Sequence, residues 1–69
     1  MYRVVYYDEK NTRTSVDFEC DWRGADEAQQ QATRYARDLI ESNLAVCSEV
    51  WTQDLDLWFC ELKMTKVAL

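Results

Sequence analysis

The chain has 69 residues, with 13 acidic side chains against 8 basic ones, three Cys, one Gly, and neither His nor Pro. So short a chain forms one domain over residues 1–69, because domains run to roughly 100–200 residues. The missing His removes the usual general base and the commonest zinc ligand, and no apolar run reaches the ~18–20 residues that cross a bilayer.

Residues 2–8 (Tyr-Arg-Val-Val-Tyr-Tyr-Asp) are aromatic and β-branched, which predicts a first strand. The polar run Asp8-Glu9-Lys10-Asn11-Thr12 reads as a hairpin loop, with Asn11 suited to a positive φ. Over residues 13–21, Thr14, Val16, Phe18 and Cys20 alternate with Ser15, Asp17, Glu19 and Asp21. A period of two with one apolar and one acidic face predicts a half-buried antiparallel strand.

Trp22-Arg23-Gly24 breaks that alternation. Gly24 can cap a helix, and Asp26 and Glu27 then sit in the first turn, where carboxylates favour the positive helix end. Ala25, Ala28, Ala32, Tyr35, Ala36, Leu39 and Ile40 recur in steps of three and four, the spacing of an amphipathic helix. The helix should end near Ser42-Asn43, with Asn43 left-handed. Its small-residue stripe lets it lie close to a sheet that supplies the bulk from large rings.

Residues 44–52 predict a third strand, Gln53-Asp54-Leu55-Asp56 a turn, and residues 57–66 a fourth strand. The fold class is therefore α+β: β-β-α-β-β, a four-stranded, largely antiparallel sheet with one helix on one face. An all-antiparallel sheet takes strand order 2-1-3-4 or 1-2-4-3, and a mixed sheet with strands two and three adjacent also fits the connections.

One helix covers one face. Its side should receive Tyr2, Val4 and Tyr6; Val16, Phe18 and Cys20; Leu44, Val46 and Val50; and Trp58, Cys60, Leu62 and Met64. The outer face then carries Arg3, Val5 and Tyr7; Ser15, Asp17 and Glu19; Cys47, Glu49 and Trp51; and Leu57, Phe59, Glu61 and Lys63. On this reading Tyr7, Trp51 and Phe59 form an apolar patch rimmed by Asp17, Glu19, Glu49 and Glu61. Exposed apolar patches with polar rims mark interaction sites, and Tyr and Trp dominate binding energies there. These seven residues are the candidate partner-binding set. Three coverings are open: the rings folding over one another or under the Trp22 loop and the C-terminus, a homodimer, or a different protein.

Enzymatic chemistry finds little footing. Cys20, Cys47 and Cys60 lack a His and lie among carboxylates and apolar groups, which raise a thiol pKa. Their spacing carries no metal-chelating pair, so no metal or other cofactor is expected. The carboxylate pairs Asp17 with Glu19, Glu49 with Glu61, and Asp54 with Asp56 read as solvated surface, and Asp54-Leu55-Asp56 lacks the further ligands of a calcium loop. An odd cysteine count suits free thiols in a reducing cytoplasm, Cys47 being the one expected to reach solvent. The charged, alternating N-terminus does not read as a signal peptide.

The acidic rows Asp17-Glu19-Asp21, Asp26-Glu27 and Asp54-Asp56 on a small β-β-α-β-β frame resemble those of small acidic phage-encoded inhibitors of the anti-CRISPR type. That resemblance implies a non-enzymatic protein working in the cytoplasm of a bacterial or phage-infected cell. Its partner would be a protein whose basic nucleic-acid-binding surface it blocks by charge mimicry. A homodimeric bacterial accessory or regulatory domain is an alternative. So is a single-stranded nucleic-acid binder using Arg23, Arg34 and Arg37 beside Trp22, although the excess of acidic groups opposes binding to phosphates.

Overall fold

The computed structural model describes residues 1–19 and 25–66. The elements are β1 (Tyr2–Tyr7), β2 (Arg13–Phe18), α1 (Ala25–Glu41), β3 (Cys47–Asp54) and β4 (Leu57–Thr65). The strands form one sheet in the order β2-β1-β3-β4, with every neighbouring pair antiparallel. The side chains explain why this order prevails over 1-2-4-3. Consecutive Val4 and Val5 are both buried, which only an inner strand can do. The alternating charges of β2 stay at the edge, where charge also blunts unwanted strand pairing. The expected continuation of β2 through Cys20 and Asp21, the Trp22 break and the Gly24 cap lie outside the described residues.

Side-chain chemistry sets the C-terminal end of α1 and the first hairpin. In the loop, the Asp8 carboxylate accepts hydrogen bonds from the backbone N–H groups of Lys10 (2.8 Å) and Thr12 (2.9 Å). Asn11 takes the positive φ, 65°. At the end of α1, Asn43 is left-handed (φ 63°), and the Leu44 and Asn43 N–H groups donate to the carbonyls of Leu39 and Ile40. Those two bonds are the Schellman closure, which satisfies carbonyls that the helix itself leaves open. The Ser42 hydroxyl adds a 2.6 Å bond to the Asp38 carbonyl.

The core lies between α1 and the sheet: Val4, Ala32, Ala36, Leu39, Ala45 and Val50 are buried. The alanine stripe brings α1 down mainly onto β1 and β3, and rings fill the margins. Tyr35 meets Phe18 and Tyr6 edge-on, with centroids 5.5 and 6.4 Å apart. Ser48 interrupts this apolar layer: it is fully buried, and its hydroxyl has no hydrogen-bond partner among the described residues. β3 starts at Cys47, three residues later than the sequence predicts, and Leu44 is exposed in the closure turn instead of packing under the helix.

The largest departure from expectation lies in β4. Its pairing with β3 shifts by one residue: Val50 faces Leu62 while Trp51 faces Cys60, leaving Glu61 as an extra residue. Opposed residues share a face of the sheet and alternate along a strand, so a one-residue bulge exchanges the faces beyond it. Trp58 and Cys60 therefore lie on the outer face with Trp51. Phe59, opposite Thr52, and Leu57, opposite Asp54, lie on the helix side. Glu61 also turns to the helix side, where it accepts a 3.2 Å hydrogen bond from the Gln29 side chain. Each of these assignments reverses the sequence-based one. Leu62, Lys63 and Met64, on the near side of the bulge, keep their predicted faces.

Candidate interaction face

The sheet face turned away from α1 is built outward from β1. Arg3, Val5 and Tyr7 alternate along it, flanked on β2 by Asp17, Ser15 and Arg13 and on β3 by Trp51, Glu49 and Cys47. Trp58, Cys60 and Lys63 complete it on β4.

Arg3 organises the centre. Its Nε donates to Asp17 Oδ1 at 2.7 Å, a terminal nitrogen donates to Oδ2 at 3.3 Å, and its guanidinium carbon lies 4.2 Å from the Trp58 ring centroid. A guanidinium held flat by a carboxylate is free to stack on an indole face. The hydrogen bond from Arg3 holds the Asp17 carboxyl below its ordinary range and, reciprocally, raises Arg3. Beside this pair, Trp51 Nε1 donates to Glu49 Oε1 at 3.3 Å, and Lys63 Nζ approaches Glu49 Oε2 at 3.9 Å.

Between these groups lies an open pocket of about 210 Å³ lined by Arg3, Val5, Arg13, Trp51 and Trp58. Val5, 3% exposed, is its floor. Arg13 is exposed and makes no ion pair among the described residues. The pocket thus combines an apolar base, two half-buried indoles and the exposed guanidinium of Arg13.

Of the seven predicted partner-binding residues, Tyr7, Asp17, Glu49 and Trp51 share this face. Glu19 is exposed beyond the last residue of β2. The bulge moves Phe59 and Glu61 to the helix side, so Phe59 does not join Trp51 and Glu61 does not pair with Glu49. Arg13 and Trp58 complete the pocket unanticipated. The sequence leaves Trp58 undecided: Leu57-Trp58-Phe59-Cys60 is apolar at both parities, whereas Leu62-Lys63-Met64 alternates, so the phase of the first four residues is free to differ from that of the last three.

The expected acidity of this face also needs correction. Asp17 and Glu49 each have a cationic partner, and Arg13 adds a positive group. Exposed carboxylates without a cationic partner among the described residues are spread over the molecule: Glu9 in the first hairpin loop, Glu19 just past β2, Asp26 and Glu27 in the first turn of α1, Asp38 and Glu41 further along it, Asp54 and Asp56 at the β3–β4 tip, and Glu61 on the helix side of β4.

Of the two described cysteines, Cys47 is half-buried and Cys60 is the more exposed, opposite to expectation. Burial, and then the charge of Glu49, push the Cys60 thiol up, which disfavours the nucleophilic thiolate. On α1, Arg34 and Arg37 line a shallow depression with Gln29, Gln30 and Thr33; Trp22 and Arg23, expected beside them, lie outside the described residues. No helix among the described residues is long and apolar enough to cross a membrane. Comparisons with protein-family models, curated proteins and solved structures find no match.

Proposed function

We propose that this chain is a non-enzymatic interaction module that binds a protein partner on the open sheet face. The observation that carries the reading is the grouping of Trp51, Trp58 and Arg13 around the buried Val5, on the side that α1 leaves uncovered. Trp and Arg are the residue types that carry most binding energy when a partner excludes water from them. The molecule measures 40 × 21 × 15 Å, so its broad face matches the roughly 800 Å² per partner of a standard interface.

The test compares proteins captured by the wild-type chain, by Trp58→Ser, and by Gln30→Lys on the exposed side of α1. Partners held by wild type and Gln30→Lys but released by Trp58→Ser support the reading. Partners held equally by Trp58→Ser contradict it.

A narrower form of this function is an inhibitor that covers a basic nucleic-acid-binding surface. Asp26, Glu27, Asp54 and Asp56, exposed and without a cationic partner among the described residues, favour it, and they would do the work in place of Asp17 and Glu49. Asp26→Lys with Glu27→Lys should then weaken binding, and added salt should slow association. Unchanged affinity and salt response rule this form out.

A further inference from the structure

The β3–β4 tip has the chemistry the pocket lacks. β1 ends its pairing with β3 at Tyr2 and Thr52, while the β3–β4 ladder continues to Asp54 and Leu57. Residues 54–57 therefore project past the rest of the sheet. At their apex Leu55 is 88% exposed and left-handed, with φ 56°. Asn or Gly is the residue that such a turn ordinarily takes. A leucine held there is costly to the fold, gains nothing from it by burial, and is flanked by two carboxylates.

We propose that the tip of one copy docks into the Arg–Trp pocket of a second copy. Leu55 enters between Trp51 and Trp58 over Val5, and Asp54 and Asp56 meet the guanidinium of Arg13. The inference rests on the open face being a docking surface and names its occupant. The tip cannot reach the pocket of its own chain. The β3–β4 ladder is paired up to the turn, so the tip points along the strands, about 20 Å from the level of Val5 at ~3.3 Å per residue. Charge also selects this contact. The chain carries a net −5, so copies repel at large, and an acidic tip against a pocket whose Arg13 has no ion pair among the described residues is the attractive alignment. A polyanion such as a nucleic-acid strand needs a row of cations, and of the two cations lining the pocket Arg3 is already held by Asp17.

The test is sedimentation velocity of the full chain across a micromolar-to-millimolar series, with three variants. Wild type should associate reversibly. Leu55→Asn keeps the left-handed turn, so it should weaken association by roughly tenfold or more while leaving thermal stability equal or higher. Arg13→Asp alone, and Asp54→Arg with Asp56→Arg alone, should each be monomeric, and an equimolar mixture of the two should associate because one native contact is regained. A monomeric wild type, a Leu55→Asn chain that associates like wild type, or a mixture that stays monomeric overturns the proposal. Binding of a mixed-sequence oligonucleotide that Trp58→Ser abolishes also overturns it, in favour of a nucleic-acid occupant. If wild type is monomeric yet Trp58→Ser releases a captured protein, tip docking alone fails. If wild type is monomeric and Trp58→Ser releases nothing, the reading of the face fails with it.

Discussion

Val4 and Val5 are adjacent on β1 and nearly equally buried, at 0% and 3% exposure, but different layers cover them. Val4 belongs to the cluster with Ala32, Ala36, Leu39, Ala45 and Val50. Val5 is the floor of a pocket walled by surface side chains. Truncating either to Ala removes two carbons, a transfer loss of about 1.6 kcal/mol at ~0.8 kcal/mol per carbon. Beneath α1 the backbone of helix and sheet cannot collapse, so a cavity term should raise the cost of Val4→Ala to about 2–3 kcal/mol. Beneath Trp51 and Arg13 the side chains can settle into the space, so Val5→Ala should cost little beyond the transfer loss, about 1.6 kcal/mol. A chain of this size has roughly 3–10 kcal/mol of stability in all, so urea unfolding resolves the difference. Equal costs for the two variants would mean that the outer layer packs as a second closed core, and the argument for a docking face would lose its basis.

Three further outcomes follow from particular residues. Ser48→Ala removes a buried hydroxyl without a partner among the described residues and should stabilise the chain by about 1 kcal/mol, raising the melting temperature by roughly 4–8 °C; a lower melting temperature would show that the hydroxyl is satisfied. The Asp17 carboxyl is held below its ordinary 3.8 by Arg3, so its contribution is complete above that ordinary value and is lost as pH falls through the lowered folded value. The stability gap between wild type and Asp17→Asn, followed by urea unfolding, should therefore be flat near neutrality, close only in the acid range, and shrink in high salt; a gap that opens with acid contradicts the pairing. Deleting Glu61 removes the bulged residue and leaves Cys60 and Leu62 facing Trp51 and Val50, so the chain should fold with its near-ultraviolet tryptophan signal intact. Deleting Glu49 from the unbulged β3 exchanges the faces of that strand and should abolish cooperative unfolding.

The elements were legible where short-range chemistry decides them. The alternation of β2, the three- and four-residue steps of α1, and the positive φ of Asn11 and Asn43 are local consequences of side-chain type. The strand order was legible in principle as well, since consecutive Val4 and Val5 require a strand covered on both faces, but that signal lies in two residues and competes with connection geometry. The site was less legible because it depends on the phase of β4. A single bulge at Glu61 moves every side chain beyond it to the other face, and Leu57-Trp58-Phe59-Cys60 is apolar enough to sit either way round. The same shift replaced Phe59 by Trp58 beside Trp51. The charge of the face was hidden for a different reason: Asp17 and Glu49 are acidic in sequence, but their partners Arg3 and Lys63 come from neighbouring strands.

The central claim, that the indoles of Trp51 and Trp58 stand open on the uncovered sheet face, is tested most directly by photochemically induced nuclear polarisation of the dilute chain, which reports aromatic rings that a solvent-borne dye can reach. Both rings should be polarised in the monomer, and the Trp58 signal should fall as concentration rises and copies associate. Rings of Trp51 and Trp58 that give no polarisation in the dilute monomer would contradict the account.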